Sequence, residues 1–99
     1  MLETSEVPDA VRECLEDFFR SLNRDVPDFN DGTDLITGTG ACSDEGVDFA
    51  IDLQDKLGVD VPNDFNPFVH ESGRRGMRYG ELVERAQRFV AAAKEAHNV

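Results

Sequence analysis

The chain has 99 residues, 31% of them charged, and a formal net charge of −11. That length makes one domain with a modest core. A field of that sign repels nucleic-acid phosphates and anionic lipids and attracts basic protein surfaces, so no nucleic acid and no membrane are expected as partners. No stretch approaches the ~20 apolar residues of a membrane span. The first residues, Met1 to Glu6, are acidic and carry no apolar run, which predicts a cytoplasmic protein. Cys14 and Cys42 have no metal-binding spacing, and no disulfide is expected in that compartment. The charge is uneven: residues 1–70 hold seventeen acids and four bases, and residues 71–99 hold four acids and six bases.

In chain order, residues 8–23 predict a first helix. Pro8 suits a first-turn position, and Val7, Val11, Cys14, Leu15, Phe18, Phe19 and Leu22 recur at spacings of three and four. Cys14 then reads as a small buried hydrophobe. Residues 25–42 predict a long loop, broken by Pro27, Asn30-Asp31-Gly32 and Gly38-Thr39-Gly40 and pinned to the core by Leu35 and Ile36. A loop of that length in a small domain is usually functional or poorly ordered.

Residues 43–57 predict the second helix, with Ser43 as its N-cap and Asp44 and Glu45 at the positive end of the dipole. At 100° per residue Gly46, Phe49, Ala50, Leu53 and Leu57 share the core face. Asp44, Asp48, Asp52 and Asp55 fall within about 80° on the opposite face. Ile51 projects among these acids and Val47 borders them, which points to a docking surface. Gly58 stops the helix and Pro62 bars its extension. Residues 63–69 read as a short third helix or a turn, with Phe65 and Phe68 plugging the core. Residues 70–78 read as a polar loop. Residues 79–96 predict the last helix, with Leu82, Val83, Ala86, Phe89, Val90 and Ala93 inward. The expected fold is a single all-α domain of four helices over residues 1–99, with a long first loop and a short third helix.

The candidates for catalysis and metal binding are thin. His70 and His97 are the only histidines, no Ser-His-Asp order suggests a triad, and Ser43 lacks the preceding strand of a nucleophile elbow. No enzymatic activity of the chain alone is expected. In Asp28-Phe29-Asn30-Asp31-Gly32 the glycine falls at the fifth position of a would-be calcium loop rather than the sixth, so these residues read as turn formers.

Ser43 stands out by its register. It follows Gly40-Ala41 and precedes, without a gap, Val47, Asp48, Leu53, Leu57-Gly58, Val61 and Pro62. This pattern resembles the core of acyl carrier proteins, roughly G-A-D-S-L-D-x-V-E-L followed by an acidic helix and F-G-x-x-I-P. The resemblance is good over residues 33–62 and looser over the first and last helices. Cys42 and Asp44 stand where the family has Asp and Leu beside its serine, and the stretch from His70 to Arg78 lengthens the loop before the last helix. The resemblance implies a covalent 4′-phosphopantetheine at Ser43, attached from coenzyme A by a separate phosphopantetheinyl transferase. The thiol of that arm would carry acyl groups as thioesters, as in fatty acid or polyketide biosynthesis. It also implies a monomer that docks on acyl-handling enzymes with basic surfaces through Asp44, Glu45, Val47, Asp48, Ile51, Asp52 and Asp55. A second reading is an adaptor that uses the same helix to bind a protein partner without a prosthetic group.

Overall fold

The computed structural model describes residues 2–97. Three α-helices build it: α1 (Val7–Ser21), α2 (Ser43–Leu57) and α3 (Tyr79–His97), with a 3-10 turn at Thr4–Glu6 leading into α1. No regular strand occurs among the described residues; isolated bridges join Asp34 to Arg78 and Val69 to Gly76. None of the described helices is long and apolar enough to cross a membrane.

The helix ends follow from local chemistry. Pro8 lies in the first turn of α1, where a missing N–H costs nothing. The other end stops at Asn23, whose φ of 57° is left-handed. Arg24 N–H then donates to Phe19 O at 3.1 Å and Asn23 N–H to Arg20 O at 3.0 Å, the paired bonds that close a helix on a left-handed residue. The helix therefore ends two residues earlier than the periodicity suggests, and Leu22 is left on the surface. Gly58, with φ 69°, closes α2 in the same left-handed region.

The core gathers around three rings, one from each of three segments. Phe18 of α1, Phe49 of α2 and Phe68 of the connection to α3 lie with centroids 5.3, 5.2 and 6.0 Å apart. Val11, Leu15, Leu53, Leu82, Ala86 and Val90 close around them with no exposed surface. Leu35 is fully buried and Ile36 partly so, as expected of the residues that pin the first loop.

The short third helix does not form. Residues 63–69 make two separate turns, closed by Phe65 N–H to Pro62 O at 3.0 Å and Val69 N–H to Asn66 O at 3.2 Å. The reason is Pro67: it has no N–H, and it pushes Asn66 out of the helical region. Phe68 fills the core as expected, whereas Phe65 stays half-buried at the edge, against Phe89 and under the Arg85 guanidinium. The polar loop after it doubles back as a hairpin, with Met77 N–H donating to Phe68 O at 2.8 Å and His70 N–H to Arg75 O at 3.0 Å. The outgoing arm of that hairpin also braces the first loop: Leu35 N–H donates to Met77 O at 2.9 Å and Tyr79 N–H to Thr33 O at 2.9 Å.

Candidate functional site at the mouth of α2

The loop that delivers Ser43 is held along its length. Asp34 accepts from Ile36 N–H at 2.8 Å and Thr37 N–H at 3.0 Å, and these bonds with other N–H donors keep its carboxyl below the usual range against the opposing effect of burial. Thr39 Oγ1 donates to Leu35 O at 2.7 Å, Gly40 takes a left-handed φ of 77°, and Ala41 is buried. The chain thus turns at Gly40, anchors at Ala41 and enters α2 at a fixed angle.

Cys42, not Ser43, is the N-cap. Its backbone is extended, with φ −103° and ψ 161°, and Ser43 is the first helical residue. Glu45 reaches back and accepts from the Cys42 N–H at 3.0 Å and from its thiol at 3.2 Å. Arg24, from the far end of the loop, donates to the same carboxylate at 3.0 Å. The bond from Cys42 N–H, ahead of the Arg24 pair, holds the Glu45 carboxyl below its ordinary pKa. Capping therefore falls to the residues on either side, and Ser43 is left exposed at the helix mouth.

Asn66 supplies the other support. Its Nδ2 donates to Ser43 O at 2.9 Å, while its Oδ1 accepts from Phe68 N–H at 2.9 Å. This amide ties the segment after α2 to the first residue of α2. It fits because Gly46 has no side chain: a Cβ there would overlap the Asn66 amide and lie 3.0 Å from the Phe68 Cβ.

The remaining predicted residues sit as the helical wheel places them. Asp44, Asp48, Asp52 and Asp55 are exposed along one face. Val47 and Ile51 are 58% and 62% exposed, the two most exposed large hydrophobic side chains among the described residues. Glu45 alone of the group turns away, into its bonds with Cys42 and Arg24. A groove of about 240 Å³ runs beside Val47, Ile51 and Gln54, with Pro62, Asp64 and Phe65 on its other side.

No protein-family model, no curated protein and no solved structure matches this chain. The functional reading therefore rests on the geometry and on the register around Ser43.

Sequence reasoning missed Asn66, Arg24 and Asp34. Only Asn66 left a trace, since an Asn before Pro opposite a glycine in a first helical turn is compatible with a close backbone approach. Arg24 meets Glu45 across 21 residues of loop, a separation at which no periodicity operates.

Proposed function

We propose that this chain is an acyl-carrier-like protein that bears 4′-phosphopantetheine on Ser43 Oγ and presents its cargo to enzymes that dock on α2. The observation that carries the reading is an exposed serine in the first turn of α2, heading an exposed face on which Val47 and Ile51 stand among carboxylates. The site fits the group. The free N–H groups and positive dipole end of a 15-residue helix favour a phosphodiester there. Of the two acids in the first turn of α2, Asp44 and Glu45, the second is paired with Arg24 at 3.0 Å. When attached, the group supplies a thiol that holds acyl cargo as a thioester. The chain's own residues fix the attachment point and offer the docking face. In this reading the chain follows the carrier plan of a long first loop running into the modified serine, with paired turns in place of the short third helix.

The decisive experiment is intact mass. Incubation with coenzyme A and phosphopantetheinyl transferases, including one from the native cell, is expected to add the mass of one arm, and Ser43→Ala to abolish the gain. An unchanged mass with every transferase overturns the carrier reading and leaves the adaptor, which needs the α2 face but not the hydroxyl. The double variant Cys42→Asp, Asp44→Leu restores the family pattern beside the serine and is expected to load faster with a broad-specificity transferase. A rate that is unchanged or slower shows that these flanks do not limit recognition.

A further inference from the structure

Ser43 stands beside a seam, the line along which α2 meets the segment of residues 63–69. That seam is closed at three successive points. Next to the serine, Asn66 Nδ2 donates to Ser43 O at 2.9 Å. One turn on, the segment comes so near α2 that a Cβ at Gly46 would lie 3.0 Å from the Phe68 Cβ. Beneath both, the rings of Phe49 and Phe68 stack with centroids 5.2 Å apart, and neither has exposed surface. Phe18 of α1 meets both rings edge-on, at 5.3 and 6.0 Å. Rings at these separations are in contact, with no layer between them for an alkyl chain. Outside the seam, the groove of about 240 Å³ beside Val47 starts at Asn66 and is partly polar, lined by Gln54, Asn63, Asp64 and Asn66. Gln54 Oε1 already accepts from Val61 N–H at 2.9 Å, so what this side chain offers a ligand is its amide N–H.

We propose that the cargo is a short acyl group bearing hydroxyl or keto oxygens, held outside the helices in this groove, and that a long alkyl chain is not taken into the core. An alkyl chain on an arm at Ser43 has three places to go. To enter the core it must break the Asn66 bond and part Phe49 from Phe68. Left in water, it is penalised by about a factor of four in the equilibrium for each methylene that a buried chain would hide. Laid along Val47 and Ile51, it covers the two apolar side chains that the docking face needs. A short oxygenated group avoids all three. It loses little in water, leaves the ridge uncovered, and meets side-chain amides that donate to its oxygens. The inference rests on the arm proposed for Ser43, and it adds the chemical class of what that arm carries.

The test compares three arms on the full-length, isotope-labelled protein: butyryl, 3-hydroxybutyryl and decanoyl, each loaded from its coenzyme A thioester by a phosphopantetheinyl transferase and checked by mass. Between the butyryl and 3-hydroxybutyryl forms, the expected shift differences fall on the side-chain amides of Gln54 and Asn66. Between the butyryl and decanoyl forms, they fall on the methyl groups of Val47 and Ile51, while Leu53 and Phe68 stay in place. The decanoyl form is also expected to be retained longer on a hydrophobic column, because its chain stays outside. The proposal is overturned if the decanoyl chain moves Leu53 and Phe68 and raises the thermal midpoint, as a ligand bound inside the folded state would. Equal column retention of the butyryl and decanoyl forms overturns it too, as does a 3-hydroxybutyryl arm that leaves both side-chain amides where butyryl puts them. A protein that gains no mass sinks the carrier reading and the cargo with it. One that loads but shows the chain in the core sinks the cargo class alone.

Discussion

Cys42 occupies a position that serine, aspartate and asparagine fill better, because a thiol is a weak acceptor for the free N–H groups of a helix mouth. Cys42→Ser keeps the size, supplies a hydroxyl and leaves the Glu45 bonds to the backbone in place. It is expected to stabilise the fold by about 0.5–1 kcal/mol, read as a rise in the thermal midpoint of about 2–8 °C. A fall would show that the thiol contributes something the hydroxyl cannot. Glu81 marks the opposite case, a residue already at its best. Arg75 grips both of its oxygens, at 2.8 and 2.9 Å, and Arg78 N–H donates to it at 2.9 Å. These bonds, the Arg75 pair first, hold its carboxyl down at about 2 against an ordinary 4.5. Because the folded-state pKa is the lower one, the stabilisation is fully present above about 4.5 and is lost as the pH falls towards 2. Glu81→Gln is expected to cost about 1–2 kcal/mol at neutral pH. Thermal melts of the two proteins should converge as the pH drops from 5 to about 2.5. A gap that stays constant would place the effect in packing instead. At this scale the sequence was legible where a side chain answers to its own helix, as Val47, Ile51 and the four aspartates do, since a 100° step fixes which way each one faces. It was not legible where a side chain answers to a distant one. Glu45 counted as an acid of the docking face, yet Arg24 and the Cys42 N–H take it.

The connection between α2 and α3 shows the same division at the level of elements. Apolar residues at positions 65, 68 and 69 read equally as a short helix or a turn, and Pro67 decides the matter by removing a donor. What the pattern could not reveal is how the turns are fastened. Asn66 bonds Ser43 O, and Gly46 makes the space. The hairpin from Val69 to Gly76 was likewise hidden, because each paired stretch is only two or three residues long, too short for an alternation to show. Gly46→Ala separates the intrinsic preference of the helix from this packing. In an exposed helix the change would stabilise by up to ~1 kcal/mol. Here the added methyl meets the Asn66 amide and the Phe68 Cβ, so a net loss of about 1–3 kcal/mol is expected. The expected signature is a lower denaturation midpoint, together with amide shifts at Asn66 and Phe68 larger than those at the far end of α2. A stabilised protein would mean that the segment after α2 yields easily and is not what positions Ser43.

The distribution of charge over the molecule decides how its two kinds of surface act in docking. A net charge of −11 on 99 residues, with Asp44, Asp48, Asp52 and Asp55 ranged along one exposed face, reaches well beyond contact. Such acids act mainly during approach, raising the association rate through a field screened over ~8 Å at physiological salt. Ile51 acts only in contact, by losing water once the partner is seated. The two effects can therefore be separated kinetically with a phosphopantetheinyl transferase that loads Ser43. Asp48→Lys with Asp52→Lys is expected to slow association about tenfold at low salt and to flatten its salt dependence, with little change in dissociation. Ile51→Ala is expected to leave association alone and to speed dissociation by an amount worth about 1–2 kcal/mol. Both variants should keep their helical circular dichroism, because Ile51 is 62% exposed and neither aspartate touches the core. Loss of helicity in Ile51→Ala would mean that this face packs inward. Folded variants that bind like the wild type would move the docking surface off this face, leaving the arginine-rich stretch from Arg74 to Arg88 to be tested in its place.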